Sequence, residues 1–242
     1  MSKIPVLEIF GPTIQGEGMV IGKKTMFVRT AGCDYSCSWC DSAFTWDGSA
    51  KEEIVQMTAE EVLNCLQEVG GERFSHVTIS GGNPALLKNL DELINKLKEN
   101  AIEVALETQG SRWQDWFVDI DDLTISPKPP SSTMITNFDI LDDIILKLKD
   151  HHRITSTSLK VVIFNEDDFQ YAKNIAKRYP EVPLYLQVGN RDVHGEDRVN
   201  LTSTLLDQYE QLIDRVVRDE ELNDIRVLPQ LHTLVWGNKR GV

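Results

Sequence analysis

Positive charge is scarce in this sequence. Against 38 aspartates and glutamates stand only 25 lysines and arginines, a formal net charge of -13. An acidic surface of that kind repels phosphate backbones, which argues against direct nucleic-acid binding. Long hydrophobic runs are missing too: nothing approaches the ~18 apolar residues that a membrane helix needs. The opening residues, MSKIPVLEIF, lack the extended apolar segment and small-residue cleavage site of a secretory signal. The expected address is the cytoplasm, with no membrane partner. Repeats, low-complexity tracts and linker-like stretches are also lacking, so a single domain over residues 1–242 is expected. Cysteine is rarest of all. There are four, and Cys33, Cys37 and Cys40 fall within eight residues, poor spacing for a disulfide framework.

What is present is a regular alternation. Segments rich in β-branched and aliphatic residues recur at 6–10, 25–30, 76–80, 103–107, 123–126, 159–164, 184–188 and 225–228. Helix-period segments separate most of them. Thr58 reads as an N-cap with Glu61 closing a capping box, followed by the stripe Val62, Leu66 and Val69. Leu87, Leu90, Ile94 and Leu97 predict a second helix, and Ile140, Ile144, Ile145 and Leu148 a third. Residues 167–178 and 201–217 predict two more. Strands alternating with helices make an α/β fold with a largely parallel sheet. Ligands collect at the carboxyl ends of such strands, which singles out 33–42, 80–84, 107–110, 126–128 and Gln187.

The first of these segments carries the chemistry. From Gly32 the chain reads GCDYSCSWCDS, a C-x3-C-x2-C pattern directly after the strand 25–30. Three thiolates on one tight loop are soft anionic donors suited to iron–sulfur ligation. Three ligands leave a fourth iron open for a small molecule. A structural zinc loop completed by a histidine or Cys65 is the competing reading, although Cys65 falls on the apolar side of its helix and reads as a core cysteine.

This pattern, with Trp39 before the last cysteine, resembles the signature of the radical S-adenosylmethionine superfamily. The resemblance implies a 4Fe–4S cluster on Cys33, Cys37 and Cys40. Its open iron chelates S-adenosylmethionine, which is reductively cleaved to a 5′-deoxyadenosyl radical. Ser80-Gly81-Gly82-Asn83-Pro84 stands where the superfamily carries Gly-Gly-Glu-Pro; here Asn83 replaces the usual glutamate. Paired glycines suit close backbone approach to a ligand.

Further segments narrow the family. GPTIQGEG (residues 11–18), Arg29, Ser126-Pro127-Lys128 and Pro229-Gln230-Leu231-His232 together resemble the 7-carboxy-7-deazaguanine synthases over essentially the full length, most closely the Bacillus-type form. That resemblance implies a distorted, incomplete (β/α) barrel, a homodimer, magnesium and an electron-donor protein such as a flavodoxin. It implies conversion of 6-carboxy-5,6,7,8-tetrahydropterin to 7-carboxy-7-deazaguanine with loss of ammonia, on the route to queuosine, a modified tRNA nucleoside. By position, Arg29 would pair the substrate carboxylate, with Ile14, Gln15, Gly16 and Ser80 around the ring. Gln187 and His232 would complete the substrate pocket. Trp39, Gly82, Ser126, Pro127 and Lys128 would contact S-adenosylmethionine, and the Ser42 hydroxyl would ligate Mg2+. Glu107 is the expected catalytic-site acid, anchoring the guanidine-like edge of the pterin or moving a proton. Two readings stay open beside this one: another small radical enzyme, such as a glycyl-radical activase, and a zinc-stabilised module without catalysis.

Overall fold

The computed structural model describes residues 2–242. Its strands are β1 (Ile4–Ile14), β2 (Lys24–Thr30), β3 (Val55–Met57), β4 (His76–Gly81), β5 (Glu103–Thr108), β6 (Asp122–Ile125), β7 (Thr157–Ile163), β8 (Leu184–Val188) and β9 (Arg226–Leu228). They form one sheet in the order β3-β1-β2-β4-β5-β6-β7-β8-β9. Strand β1 is antiparallel to β2 and β3, while β2 and β4 through β9 run parallel. The edges β3 and β9 do not pair, so the barrel is open, as expected. The helices are α1 (Ala59–Gly70), α2 (Asp91–Glu99), α3 (Phe138–Asp150), α4 (Glu166–Arg178), α5 (Arg198–Val217) and α6 (Leu231–Trp236).

The strands have two differently used faces. Met26, Val28, Val77, Ile79, Val104, Leu106, Leu159, Val161, Leu184 and Leu186 join the apolar core under the helices, which supply Leu66, Ile94, Ile144 and Leu148. The alternate residues point the other way, as the period of two requires. These are Arg29, Thr78, Ser80, Glu107, Thr124, Ser158, Lys160 and Gln187, most of them buried. A parallel sheet with helices on both faces reads as continuous apolar runs; this one encloses a polar interior instead.

The capping box of α1 forms as read: Glu61 N donates to Thr58 Oγ1 at 3.2 Å and Thr58 N donates to Glu61 Oε2 at 2.6 Å. Three details differ from expectation. Leu87 and Leu90 precede α2, because Asn83 and Pro84 start a separate 3-10 turn, Pro84–Leu86, ahead of it. Val69 is 40% exposed, at the end of the α1 stripe. Cys65 is half-buried on the flank of α1 and not part of the core. Strand β3 and helix α6 were not anticipated. No helix among the described residues is long and apolar enough to cross a membrane.

Candidate active site

A cavity of about 290 Å3 opens at the carboxyl ends of the parallel strands. Sheet register sets its wall: Arg29 on β2 lies opposite Ser80 on β4, and Val162 on β7 opposite Gln187 on β8, with Glu107 on β5 between these pairs. Cys33, Cys37 and Cys40 line the same cavity.

The cysteine loop is fastened from several sides. Ser38 N donates to Ser132 O at 3.1 Å, and Ser38 Oγ donates to Ser131 O at 2.8 Å. The Trp39 indole donates to Ser131 Oγ at 3.0 Å. The Pro/Ser-rich stretch after β6 is thus the seat of the loop, and is itself held by the buried Asp168 carboxylate, which accepts from Ser131 N at 3.0 Å. Cys33 Sγ accepts from Tyr35 N at 3.4 Å and Gln109 Nε2 at 3.6 Å; Cys40 Sγ accepts from the Trp46 indole at 3.5 Å. Burial pushes the Cys33 thiol up and the Cys37 thiol to about 11. Binding a metal would therefore release protons.

Gly81 and Gly82 form the next part of the wall. Gly81 has φ +129, and a Cβ there would sit 2.1 Å from Thr30 O. A Cβ on Gly82 would sit 2.1 Å from Gly32 O, one residue before the first cysteine. Gly82 N and Asn83 N donate to Thr30 O and Gly32 O at 3.1 and 2.8 Å. Asn83 itself is 1% exposed and fully engaged. It accepts from Thr108 Oγ1 at 2.8 Å and donates to Asp34 Oδ1 at 2.9 Å and Ser111 Oγ at 3.0 Å.

Opposite charges occupy separate stations of the cavity. Arg29 Nε donates to Glu8 Oε1 at 2.5 Å, and its guanidinium lies 5.6 Å from the centroids of both Phe10 and Phe44. Glu8 Oε2 in turn accepts from Arg240 Nε at 2.8 Å. At the second station Lys160 Nζ lies 2.5 Å from Glu17 Oε2 and 3.4 Å from Glu107 Oε2. Gln230 Nε2 donates to Glu17 Oε1 at 3.0 Å, and Gln15 Nε2 approaches Glu107 Oε1 at 3.4 Å. Burial disfavours charge on Glu17, but the Lys160 ammonium, followed by His232, holds its carboxyl far below the usual range. Burial likewise opposes the Lys160 charge, and Glu107 and Glu17 override it and raise its pKa.

Comparison with known proteins fits this arrangement. A profile of the Radical SAM superfamily matches residues 27–185. The 7-carboxy-7-deazaguanine synthase of Bacillus subtilis (strain 168) is 69% identical over 239 residues, covering 99% of this chain and 98% of its own. That of Bacillus cereus is 65% identical over 242 residues and covers both chains completely. The crystal structure of QueE from Escherichia coli shares the fold, with TM-score 0.68, 21% identity and 95% of each chain covered. The chain belongs to the 7-carboxy-7-deazaguanine synthases.

Family membership decides between the readings that the sequence left open, in favour of a radical S-adenosylmethionine enzyme. The donor set of this synthase fits a cluster better than one ion. A single tetrahedral zinc needs its sulfurs about 3.8 Å apart, from Zn–S distances of ~2.3 Å. The group of ligand atoms that converges within 4.8 Å among the described residues is Glu17, Asp41 and His232; the three thiols do not converge so. A cubane, with a separate iron for each thiolate, accepts the wider spacing.

Of the residues singled out in the sequence, Ile14, Gln15, Gly16, Arg29, Trp39, Ser42, Ser80 and Gly82 line the cavity. So do Glu107, Ser126, Lys128, Gln187 and His232. Pro127 does not; it is buried behind its neighbours. Lys128 Nζ donates to Ser126 Oγ at 3.2 Å and lies 5.8 Å from the Trp39 ring centroid. Ser42 Oγ donates to Asp41 Oδ1 at 3.2 Å. His151 and His152 are exposed, as read. Ser80 Oγ, both amide atoms of Gln187 and Gln230 Oε1 are buried without a protein partner. Such atoms are costly unless a ligand engages them, and all three residues line this cavity. Sequence reasoning missed Glu8, Glu17, Lys160 and Gln230. For Lys160 a signal existed: in SLKVVI it alternates with Leu159 and Val161, which marks it as inward-facing.

Proposed function

We propose that this chain converts 6-carboxy-5,6,7,8-tetrahydropterin to 7-carboxy-7-deazaguanine and ammonia as a radical S-adenosylmethionine enzyme. One observation carries the reading. A single cavity places a guanidinium at one station, a carboxylate at another and three thiols on the wall between loops. The proposed substrate has the matching ends, a carboxylate and a guanidine-like edge.

Cys33, Cys37 and Cys40 would hold a 4Fe–4S cluster, with Trp39, Gly82 and Ser126 to Lys128 around S-adenosylmethionine. When bound, the pair supplies reductive radical initiation. The rest falls to the chain. Arg29, fixed by its Nε edge to Glu8, offers its terminal nitrogens to the substrate carboxylate. Glu107 accepts from the amino edge of the ring, and it is the group placed to take or return a proton there. Gln187 and Ser80, whose buried polar atoms lack protein partners, would meet the ring's own donors and acceptors. Gln15, Gly16 and Ile14 cover the ring, with His232 beside Glu17. Mg2+ is assigned to Ser42, with the Asp41 carboxylate 3.2 Å away as a further hard oxygen. A homodimer, a flavodoxin-type electron donor and a cytoplasmic location complete the proposal, with the product entering queuosine synthesis.

The test is an anaerobic assay of the purified protein with the carboxytetrahydropterin, S-adenosylmethionine and a low-potential reductant. Iron and sulfide are measured on the same sample. About four of each per chain, with deazapurine and ammonia formed in equal amounts, is the expected result. A fully loaded sample that forms no deazapurine overturns the substrate. Glu107→Gln is expected to lose substrate conversion while the iron content stays unchanged.

A further inference from the structure

Lys160 is a buried interior cation whose chemistry the proposed reaction does not yet use. It stands on β7 with its side chain only 5% exposed, and its ammonium is shared by two carboxylates from distant segments. The charged and titratable groups around it are Glu17 from the loop after β1, Glu107 from β5, His232 from α6 and Asp41 from the cysteine loop. A buried lysine is expensive unless paired, so its presence on the cavity floor calls for a purpose.

The contacts are asymmetric in a useful way. Lys160 Nζ faces Oε2 of both Glu17 and Glu107. The Oε1 of Glu17 is satisfied by Gln230 at 3.0 Å, whereas the Oε1 of Glu107 has only a long approach from Gln15, at 3.4 Å. The two contacts of Glu107 are equally long and differ in kind: a buried ammonium holds Oε2 and a neutral amide approaches Oε1, so charge fixes one oxygen and the other keeps acceptor capacity. Without the ammonium, two neighbouring carboxylates would repel, and one would turn away or take up a proton. A protonated or rotated Glu107 could offer a hydroxyl where the site otherwise only accepts.

We propose that Lys160 is a positioning residue that sets substrate specificity: gripping Glu107 by one oxygen, it keeps the other as a fixed acceptor that selects a 2-amino pterin ring over its 2-oxo counterpart. The inference rests on the substrate reading above. An amino group and ring N–H donate to the carboxylate; a carbonyl oxygen in the amino position meets it lone pair to lone pair. Rejection of a mismatched polar group is where buried sites discriminate most strongly.

The test uses the holoenzyme and two aromatic analogues, 6-carboxypterin and 6-carboxylumazine, with binding read by ligand fluorescence. The wild type is expected to prefer the pterin by ~100-fold or more. In Lys160→Met the preference falls below about 10-fold, and KM for the carboxytetrahydropterin rises more than kcat falls. Lys160→Arg, which keeps the charge, restores the preference. Lys160→Gln gives the same reading as Lys160→Met should the methionine variant not fold. A merely structural lysine would lower stability and leave the ratio intact. If either neutral variant discriminates as well as the wild type, the inference is overturned and the substrate reading stands. If the wild type binds neither analogue and forms no deazapurine, both fall together.

Discussion

Asn83 donates its side-chain amide to the Asp34 carboxylate at 2.9 Å, and so joins the Gly-Gly turn to the cysteine loop. Asp34 also accepts from Gln109 Nε2 at 2.5 Å. A glutamate at position 83 would set a second carboxylate against Asp34 in a place that is 1% exposed. The asparagine is therefore suited to this chain's own Asp34. Asn83→Asp should destabilise the protein by about 3 kcal/mol, because it sets a buried carboxylate beside that of the exposed Asp34 in place of an amide donor. Asp34→Asn in the same chain should recover much of the loss. Urea unfolding of the two single variants and the double variant measures the coupling.

Gly82 has no room for a side chain, since its Cβ would lie 2.1 Å from the Gly32 carbonyl oxygen. Backbone must move to relieve that contact, and the backbone in question leads into Cys33. Gly82→Ala should lower iron and sulfide content after anaerobic reconstitution, with a stability cost of ~1–3 kcal/mol. Gly71→Ala is the control for backbone strain, because Gly71 has φ +58 and open space around its Cβ. It should reduce Tm without changing iron content.

Arg29 should act in binding more than in chemistry. Arg29→Lys loses the forked geometry while keeping charge, and should raise KM by roughly 10–100-fold with a smaller change in kcat. Glu8→Gln weakens the anchor on Nε and one of the two carboxylate contacts of Arg240, which keeps Glu53. A KM effect of about 10-fold is expected there. Steady-state kinetics at saturating S-adenosylmethionine distinguishes the two parameters.

His76 gives the fold a pH dependence away from the cavity. It is 1% exposed, its Nδ1 lies 2.8 Å from Thr25 Oγ1, and burial, helped by Lys23, pushes its pKa down to about 4. The unfolded chain takes up this proton near 6.5, the folded chain only near 4. The unfolded state therefore binds more protons between those values, and stability falls as pH falls. The contribution is complete above pH 6.5 and declines toward pH 4, with about 2 kcal/mol gone by pH 5. His76→Gln should flatten that slope in unfolding free energies measured at pH 7 and pH 5.

Cys65 should be dispensable for metal. It sits half-buried on α1 and does not line the cavity. Cys65→Ser should retain full iron content, whereas serine at 33, 37 or 40 should abolish it. Iron loss in Cys65→Ser would falsify the three-ligand assignment.

Much of this architecture was legible in the residues. The strands that carry Arg29, Ser80, Glu107 and Gln187 near their carboxyl ends were found because β-branched runs stop at turn signals, and ligand-facing loops follow from parallel topology. The capping box at Thr58 was readable because it is local. What escaped was non-local. β3 is a short exposed edge, Val55–Met57, which has no strong periodicity and exists through pairing with β1. Glu17 and Gln230 looked like ordinary turn residues, because only tertiary folding brings them together, 213 positions apart. Glu8 could not be recognised as the anchor of Arg29 without the register that sets them opposite each other across β1 and β2. Val69 and Cys65 were misjudged because helical spacing gives the direction of a face but not how far the sheet extends beneath it.

The contact between Glu17 and Gln230 ties segments 213 positions apart into one wall. Closing so long a loop carries an entropic cost that a local device such as the α1 capping box does not bear. The interior is therefore shaped only when the segment beyond β9 comes into register with the loop after β1, and loosening either segment opens the wall at the other.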